Sequence, residues 1–322
     1  MHKFIVKANL FFIPIIIILI CLEIYLRAIP NDYIFKNNYL SGNSDNVQVL
    51  SLGSSHSYYG INPEYFDLVG FNGSHISQSI EYDYKLLMKY DGHWKNLKYI
   101  IISVSYFTFF SKLEEGAENW RVKNYSIYYD IKTSKKIGDY FELPNGVMAD
   151  NIRRAYNYYK INKDNITCSP YGFGLNYNSG IKNDLTASGV VAAKRHTKKD
   201  IDKYFIENQL TLKKIIDYAH EKNITVILFT PPAYESYVTN LDKKQLEITI
   251  KTSEKLSQEN NNVIYLNYLQ DKSFVKNDFF DADHLNEIGA KKLTLYINSI
   301  INMRELSWRR NHSVKEPYKM NL

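Results

Sequence analysis

Four short apolar runs divide most of the chain into alternating strands and helices. The runs are VQVLSLG at 47–53, LKYIIISV at 97–104, ITVILFT at 224–230 and NVIYLNY at 262–268. Their β-branched composition and length are typical of strands that are buried on both faces. Helical periodicity is present at 78–90, 201–219, 241–258 and 286–303. Strands that alternate with helices predict an α/β fold with a parallel sheet, whose functional residues lie at the carboxyl ends of the strands.

The segment at 111–197 interrupts this alternation. It is long, rich in Tyr, Gly and Asn, and contains one predicted helix at 149–160. We interpret it as an insertion that covers the active face of the domain. Its aromatic side chains would stack on sugar rings or line an acyl pocket. Because the chain contains 28 Tyr, the sequence does not single out any one of them as a substrate contact.

The N-terminus carries an apolar run from Ala8 to Leu22, which its neighbours extend towards the ~20 residues that cross a bilayer. Because Lys3 and Lys7 precede the run, the positive-inside rule predicts a cytoplasmic N-terminus and an extracytoplasmic remainder. A cleaved signal peptide is the alternative, but no small-residue cleavage site follows the run. We therefore predict an uncleaved membrane anchor at 1–27, a linker at 28–46, a single domain at 47–303 and a C-terminal tail at 304–322.

Composition narrows the classes of function. With 322 residues, 45% of them hydrophobic, the chain can form one sizeable core. Its formal charge of +6 is not gathered into any nucleic-acid docking motif, so we exclude nucleic acid as a partner. The two cysteines, Cys21 and Cys168, form neither a metal-ligand spacing nor a disulfide framework.

Two short motifs carry candidate chemistry. Gly53, Ser54 and Ser55 follow the first strand, where a tight turn can expose a hydroxyl beside free backbone N–H groups. Near the other end, Asp281 precedes His284 by three residues, which lets the carboxylate hold the imidazole while its other nitrogen takes a proton from serine. Asp283 is a second acid within reach, but an immediate neighbour usually points elsewhere, so we favour Asp281.

With these two motifs near its ends, the region from 47 to about 303, apart from the insertion at 111–197, resembles the SGNH (GDSL-like) hydrolase superfamily. The resemblance implies a flavodoxin-like three-layer sandwich, with Ser55 as nucleophile, His284 as base and Asp281 as the orienting acid. It implies no cofactor. The wording LGSSH…YGINP resembles exported members associated with cell-surface polysaccharide modification, and is distantly similar to the teichoic-acid D-alanine-transfer protein and to alginate O-acetylating proteins.

Two departures from the family pattern concern the oxyanion hole. The second family block supplies a glycine N–H, which maps to Gly73 in FNGSHISQS, although Ser74 or Ser77 would take its place under another alignment. The third block should contain Gly-x-Asn-Asp, but this chain reads Ser-Val-Ser-Tyr at 103–106. The asparagine donor is therefore missing, and Ser105 is the candidate substitute.

Two histidines, His56 and His196, have two interpretations each. His56 follows the nucleophile and either touches substrate or makes a structural hydrogen bond. His196, in AAKRHTKK, either covers the site or belongs to a solvated basic stretch. Asp283, His284, His56 and His75 could be drawn as a metal site, but they lack a recognisable ligand spacing, so we predict no metal.

These observations predict an extracytoplasmic serine acyl-ester hydrolase or O-acyltransferase that acts on O-acyl groups, such as acetyl groups, of cell-envelope glycans. Its expected partners are an envelope glycan or a small acylated substrate, the membrane through the N-terminal helix, and other envelope-polysaccharide assembly proteins. A non-catalytic glycan-binding or assembly component with the same fold is the alternative, and a phosphodiesterase or metal hydrolase ranks third.

Overall fold

A computed structural model describes residues 2–132, 134–144, 148–181 and 183–313. The helices are α1 His2–Arg27, α2 Asp32–Asn43, α3 Ser55–Tyr58, α4 Ile80–Lys89, α5 Val122–Tyr128, α6 Met148–Ile161, α7 Leu185–His196, α8 Phe205–Glu221, α9 Glu235–Val238, α10 Lys243–Glu259 and α11 Glu287–Ser313. The strands are β1 Val49–Leu52, β2 Gly70–Asn72, β3 Tyr99–Ser103, β4 Thr225–Thr230, β5 Val263–Asn267, β6 Phe279–Asp281 and β7 His284–Leu285.

The first five strands form one parallel sheet in the order β2-β1-β3-β4-β5. This is the strand order of flavodoxin-like sheets, so the predicted fold class is confirmed. Four of the strands lie within the four apolar runs. The fifth, β2, was not predicted, because its three residues include a Gly and an Asn and form no apolar run.

Helices cover both faces of the sheet, since successive side chains of a strand point to opposite faces. Ile100 and Ile102 of β3 pack into one core cluster together with Leu212 and Ile216 of α8. Ile101 packs on the other face, in a second cluster that contains residues of α11. The predicted three-layer sandwich follows directly from this alternation.

The predicted helices are present as α4, α8, α10 and α11, and the helix predicted in the insertion is α6. One boundary needs correction. The predicted C-terminal tail is helical through its first ten residues, because α11 continues to Ser313. The rest of that tail, at 314–322, lies outside the described residues.

The linker predicted at 28–46 is also wrong in its local structure, since most of it is α2. Asn31 caps this helix by accepting hydrogen bonds from the N–H groups of Tyr33 and Ile34. Tyr33, Lys36 and Leu40 recur at spacings of three and four residues and are buried against the domain. This amphipathic spacing was hidden by the polar composition of the segment.

The N-terminal helix α1 contains a stretch, Asn9–Arg27, that is long and apolar enough to cross a membrane by length and composition. Its C-terminal end is joined to the domain. The Glu23 carboxylate accepts hydrogen bonds from the backbone N–H groups of Glu142, at 2.8 and 3.0 Å, and of Leu143, at 3.0 Å. Leu26 and Ile29 are buried. The core therefore begins at the last turn of α1, well before the Val47 start predicted for the domain.

Candidate active site

The Gly-Ser-Ser turn lies at the carboxyl end of β1, near the middle of the sheet. Gly53 has a φ of 122°, and a Cβ atom there would lie 2.4 Å from the Ser103 hydroxyl. Only glycine fits such a position without strain. Ser55 follows as the first residue of α3, and its backbone N–H has no hydrogen-bond acceptor among the described residues. The turn therefore presents a serine hydroxyl and a free N–H at the end of a buried strand.

The acid and base come from a small hairpin in front of α11. Strands β6 and β7 are antiparallel, and Asp281 pairs directly with His284. The Asp281 carboxylate lies 3.0 and 3.2 Å from His284 Nδ1, and one of its oxygens also accepts the backbone N–H of His284 at 2.9 Å. The carboxylate is thus held in place by the same turn that it orients.

The structure brings these two parts together. Ser55 Oγ lies 2.8 Å from His284 Nε2, although the residues are 229 positions apart in the chain. With Asp281 on Nδ1, the contacts run from hydroxyl to imidazole to carboxylate, in the order found in Ser-His-Asp triads. The structure therefore brings the three predicted catalytic residues together, and their catalytic roles stay a prediction.

Asp283 adds a second carboxylate on the same imidazole. Its Oδ1 lies 3.6 Å from His284 Nδ1, and the residue is only 2% exposed. Burial lowers the pKa of His284, but Asp283 and Asp281 outweigh this effect and raise the pKa to about 9. Burial would raise the pKa of the Asp283 carboxyl, yet the nearby His284 and His56 rings hold it below its ordinary range. The two carboxylates therefore favour the protonated form of the imidazole.

A cavity of about 410 Å³ opens beside the triad and is lined by Ser55 and His284. Residues of the insertion form much of its wall, among them Ser111, Arg121, Tyr177 and Arg195. The Tyr177 ring stacks between Tyr59, at 3.7 Å, and Phe280, at 3.8 Å. The interpretation of the segment at 111–197 as a cover over the active face agrees with this wall.

The oxyanion donors inferred from the resemblance are not where that alignment put them. The Gly73 N–H donates to the carbonyl of Ser51 at 2.8 Å, and Gly73 is absent from the cavity lining. The Ser105 hydroxyl is buried and lies 2.6 Å from His56 Nδ1. Ser77, the alternative to Gly73, does line the cavity, with a φ of 60° and no acceptor for its N–H among the described residues.

The two predicted substrate-facing histidines differ. His56 is buried between the Ser105 hydroxyl and Asp283, whose Oδ2 lies 3.6 Å from His56 Nε2, so its role is the structural one. His196 lines the cavity and bonds to the Tyr237 hydroxyl through Nδ1 at 2.8 Å. Burial lowers the pKa of His196 to about 3, so this ring is neutral at physiological pH.

Sequence reasoning missed Asp83, a buried acid on the cavity wall. Its Oδ1 accepts the Gly53 N–H at 2.7 Å and the Gln78 side-chain N–H at 2.6 Å, so it ties the nucleophile turn to α4. Burial raises the pKa of the Asp83 carboxyl to about 7. The sequence contained one signal for this residue: Asp83 lies between Ile80 and Leu87 on the apolar face of a predicted helix, where an acid is unusual.

Among the described residues, His56, Asp283 and His284 offer ligand atoms within 4.8 Å of one another, which is close enough to consider a metal ion. His75, the fourth histidine weighed for such a site, lies elsewhere, bonded to the Tyr129 hydroxyl at 2.9 Å. Binding a metal through His284 Nδ1 would displace Asp281 from its hydrogen bond. The absence of a metal therefore stays our prediction.

Comparison with known proteins gives a weak structural likeness. No protein-family model matches the chain, and no curated protein matches it. One similar solved structure is a provisionally assigned acylhydrolase from Bacteroides fragilis. The two sequences are 11% identical, the match covers 82% of this chain and 95% of the acylhydrolase chain, and the TM-score is 0.36. Another is a GDSL-like lipase from Bacteroides thetaiotaomicron, with 12% sequence identity and a TM-score of 0.39. This match covers 84% of the present chain and 99% of the lipase chain. Because both TM-scores are low, the assignment of fold and site rests on this chain's own strand order and distances.

Proposed function

We propose that this protein is a membrane-anchored, extracytoplasmic serine acyl-ester hydrolase or O-acyltransferase that acts on O-acyl groups of cell-envelope glycans. The observation that carries the proposal is the Ser55–His284–Asp281 relay, with contacts of 2.8 and 3.0 Å, at the wall of an open cavity. The contact with His284 is essential to the proposal, because a serine without a base beside it is not activated as a nucleophile.

The reaction begins when Ser55 Oγ attacks the acyl carbonyl and His284 Nε2 takes the hydroxyl proton. Asp281 keeps the Nδ1–H of the imidazole oriented and stabilises the imidazolium that forms. The tetrahedral intermediate then expels the alcohol, which leaves with the proton from His284. Water or a sugar hydroxyl then attacks the carbonyl of the acyl-Ser55 ester while His284 Nε2 takes its proton. The second tetrahedral intermediate expels Ser55 Oγ, which takes that proton back from His284, and the free acid or the acylated sugar is released.

Two backbone N–H groups are the proposed oxyanion donors. Ser55 and Ser77 both line the cavity, and neither N–H is used by another described residue. Backbone donors of this kind act where negative charge develops, and loss of one donor costs about 3 kcal/mol of transition-state stabilisation. Two donors would serve the reaction without the missing asparagine block.

The glycan substrate and the location are the finer parts of the proposal. They are supported by the resemblance of LGSSH…YGINP to exported polysaccharide-modifying proteins, by the two lysines before the apolar run of α1, and by Tyr177, whose aromatic surface lines the cavity. Aromatic faces commonly pack on sugar rings, but Tyr177 would serve an acyl group equally well.

A serine-directed fluorophosphonate probe tests the enzyme class. We expect the purified full-length protein to be labelled, and Ser55→Ala to remove the label. Ser54→Ala is the matched control, because the Ser54 hydroxyl is buried and makes no hydrogen bond among the described residues. If the wild-type protein stays unlabelled while folded, or if labelling survives Ser55→Ala, the non-catalytic alternative replaces the enzyme.

A second assay separates hydrolysis from transfer. The protein is given an acetyl ester of 4-nitrophenol with and without an unacetylated envelope glycan, and the products are identified by mass spectrometry. Transfer predicts acetylated glycan that depends on Ser55. Free acetate at an unchanged rate, with no acetylated glycan, would indicate hydrolysis.

A further inference from the structure

The insertion helix α6 carries an exposed apolar stripe. Met148, Ile152 and Tyr156 are 65%, 62% and 58% exposed and recur every four residues, so they lie on one face of the helix. Tyr159, three residues further on, lies on the same face. Exposed apolar patches of this kind mark contacts with a protein or a membrane.

Contacts with α1 show which surface the stripe faces. The Tyr159 ring stacks on the Tyr25 ring with centroids 3.7 Å apart, and the Tyr159 hydroxyl donates to the Tyr25 carbonyl at 2.8 Å. Tyr25 lies in the last turns of α1, directly after the apolar run. The stripe of α6 is therefore continuous with the end of the helix that is proposed to cross the membrane.

Buried polar contacts hold the opposite side of α6 to the domain. Arg154 lies 3.0 Å from the carboxylate of Glu142, which also binds Lys123 at 2.6 Å. The backbone N–H of the same Glu142 donates to Glu23 of α1. One residue thus links α6 and α1, which fixes the height of α6 relative to the end of α1.

The charge on α6 suits an anionic membrane surface. Arg153 and Lys160 are exposed and lie together at one edge of the stripe, where Asp150 pairs with Arg153 at 2.7 Å. A helix with an apolar face and basic residues beside it is typical of helices that lie in the membrane interface. Tyr25 and Tyr159 supply aromatic rings of the type enriched at that depth.

We propose that α6 is a second membrane contact, an interfacial helix whose stripe of Met148, Ile152 and Tyr156 lies among the headgroups and upper acyl chains of a bilayer with anionic lipid. The inference rests on α1 crossing the membrane, which belongs to the proposed function. It adds that the domain is held against the outer surface of the bilayer in one orientation.

Spin-label depth measurements on the full chain in phosphatidylcholine–phosphatidylglycerol nanodiscs test the proposal. Cys21 and Cys168 are both replaced by Ala, and single labels are placed through Ile152→Cys, Asn157→Cys, Ile206→Cys and Ile16→Cys. Accessibility to dissolved oxygen and to a water-soluble nickel chelate gives the depth of each label. We expect the label at position 152 to lie about 5–10 Å into the interface.

The other labels are controls. Position 157 lies on a different face of α6, and Ile206 is an exposed isoleucine on α8, 60% exposed, so both labels should stay in water. A label at position 16, in the middle of the apolar run, reports whether α1 itself is in the bilayer. If position 16 is lipid-buried and position 152 is in water, the α6 proposal is overturned alone. If position 16 is also in water, α1 does not cross the membrane, and the proposed membrane anchor is refuted together with the α6 contact.

A double variant provides an independent check. With the label moved to Met148→Cys, the changes Ile152→Asn and Tyr156→Asn should shift it from the interface to water. Both residues are exposed, so the thermal melting temperature should stay unchanged. If the label remains at its original depth after these changes, the stripe does not hold α6 in the membrane.

Discussion

We expect opposite effects on activity when each of the two acids beside His284, Asp281 and Asp283, is replaced by its amide. Asp283 Oδ1 lies 3.6 Å from His284 Nδ1, and at an effective dielectric of ~20 that separation corresponds to an attraction of about 4.6 kcal/mol. Full loss of that attraction would lower the pKa of His284 by about three pH units. Arg195, which lies 3.9 Å from the same carboxylate, already offsets part of it. We expect Asp283→Asn to lower the pKa of His284 by about one to two pH units.

The sign of the effect follows from the role of His284 as a base. Only the neutral imidazole accepts the Ser55 proton, so kcat/KM should rise with pH until His284 is deprotonated, near the wild-type pKa of about 9. At pH 7 an imidazole with that pKa is neutral in about 1% of molecules. Asp283→Asn should therefore raise kcat/KM at pH 7 by about 10- to 50-fold and move the rising limb to lower pH.

Asp281→Asn should behave in the opposite way. Asp281 makes the direct hydrogen bond to Nδ1 at 3.0 Å, so its amide no longer selects the tautomer or supports the imidazolium. We expect kcat/KM to fall by about 10² to 10⁴ at every pH, with no recovery on the alkaline side.

Hydrolysis of 4-nitrophenyl acetate by the full-length protein in detergent, measured from pH 5.5 to 10, separates the two cases. Rates of Ser55→Ala at each pH give the background, and circular dichroism confirms that each variant is folded. If the rising limb of Asp283→Asn coincides with that of the wild type, Asp283 does not set the pKa of His284. If Asp283→Asn loses more activity than Asp281→Asn, Asp283 is the triad acid.

Three further predictions use other parts of the structure. Ser55→Ala and His284→Ala should each remove most of the esterase activity without lowering the melting temperature, and the double variant should be little worse than either, because triad members act as a unit; additive losses would argue against the relay. Gly53→Ala should reduce both activity and melting temperature, since its Cβ would meet the Ser103 hydroxyl, whereas Gly42→Ala, with nothing within 4 Å, should be harmless; equal melting temperatures for the two would contradict the turn geometry. An alkaline phosphatase fused after Leu322 should be active outside the cytoplasm, and an inactive fusion together with an active cytoplasmic reporter would reverse the orientation of α1.

The sheet and the proximity of Ser55, His284 and Asp281 could be predicted because each depends on a short local pattern. The apolar runs around β1, β3, β4 and β5 are continuous, and a strand buried on both faces leaves this trace in any sequence. Asp281 and His284 lie three residues apart, so their pairing needs only one turn. Their meeting with Ser55 then follows from the parallel order of the strands.

The missed parts depend on contacts between distant segments. Strand β2 has three residues and owes its place to pairing with β1, which no local pattern records. The choice between Gly73 and Ser77 depends on how the loop after β2 turns towards the cavity. The contact of the Ser105 hydroxyl with His56 joins α3 to the loop after β3, across 49 residues of sequence. Alignment to a family motif can identify such residues, but it does not show where their donors point.

The buried end of α1 limits where this protein can work. A free linker of nineteen residues could span up to about 60 Å, which would let a domain sample a thick layer above the membrane. Here Glu23, Leu26 and Ile29 join α1 to the core, so that reach is lost. With α1 in the bilayer and a glycan as substrate, both as proposed, Ser55 would lie at a fixed distance from the membrane, and glycan chains would have to reach that distance to be modified. The positions at which such a chain is modified would then depend on their distance from the membrane as well as on binding in the cavity.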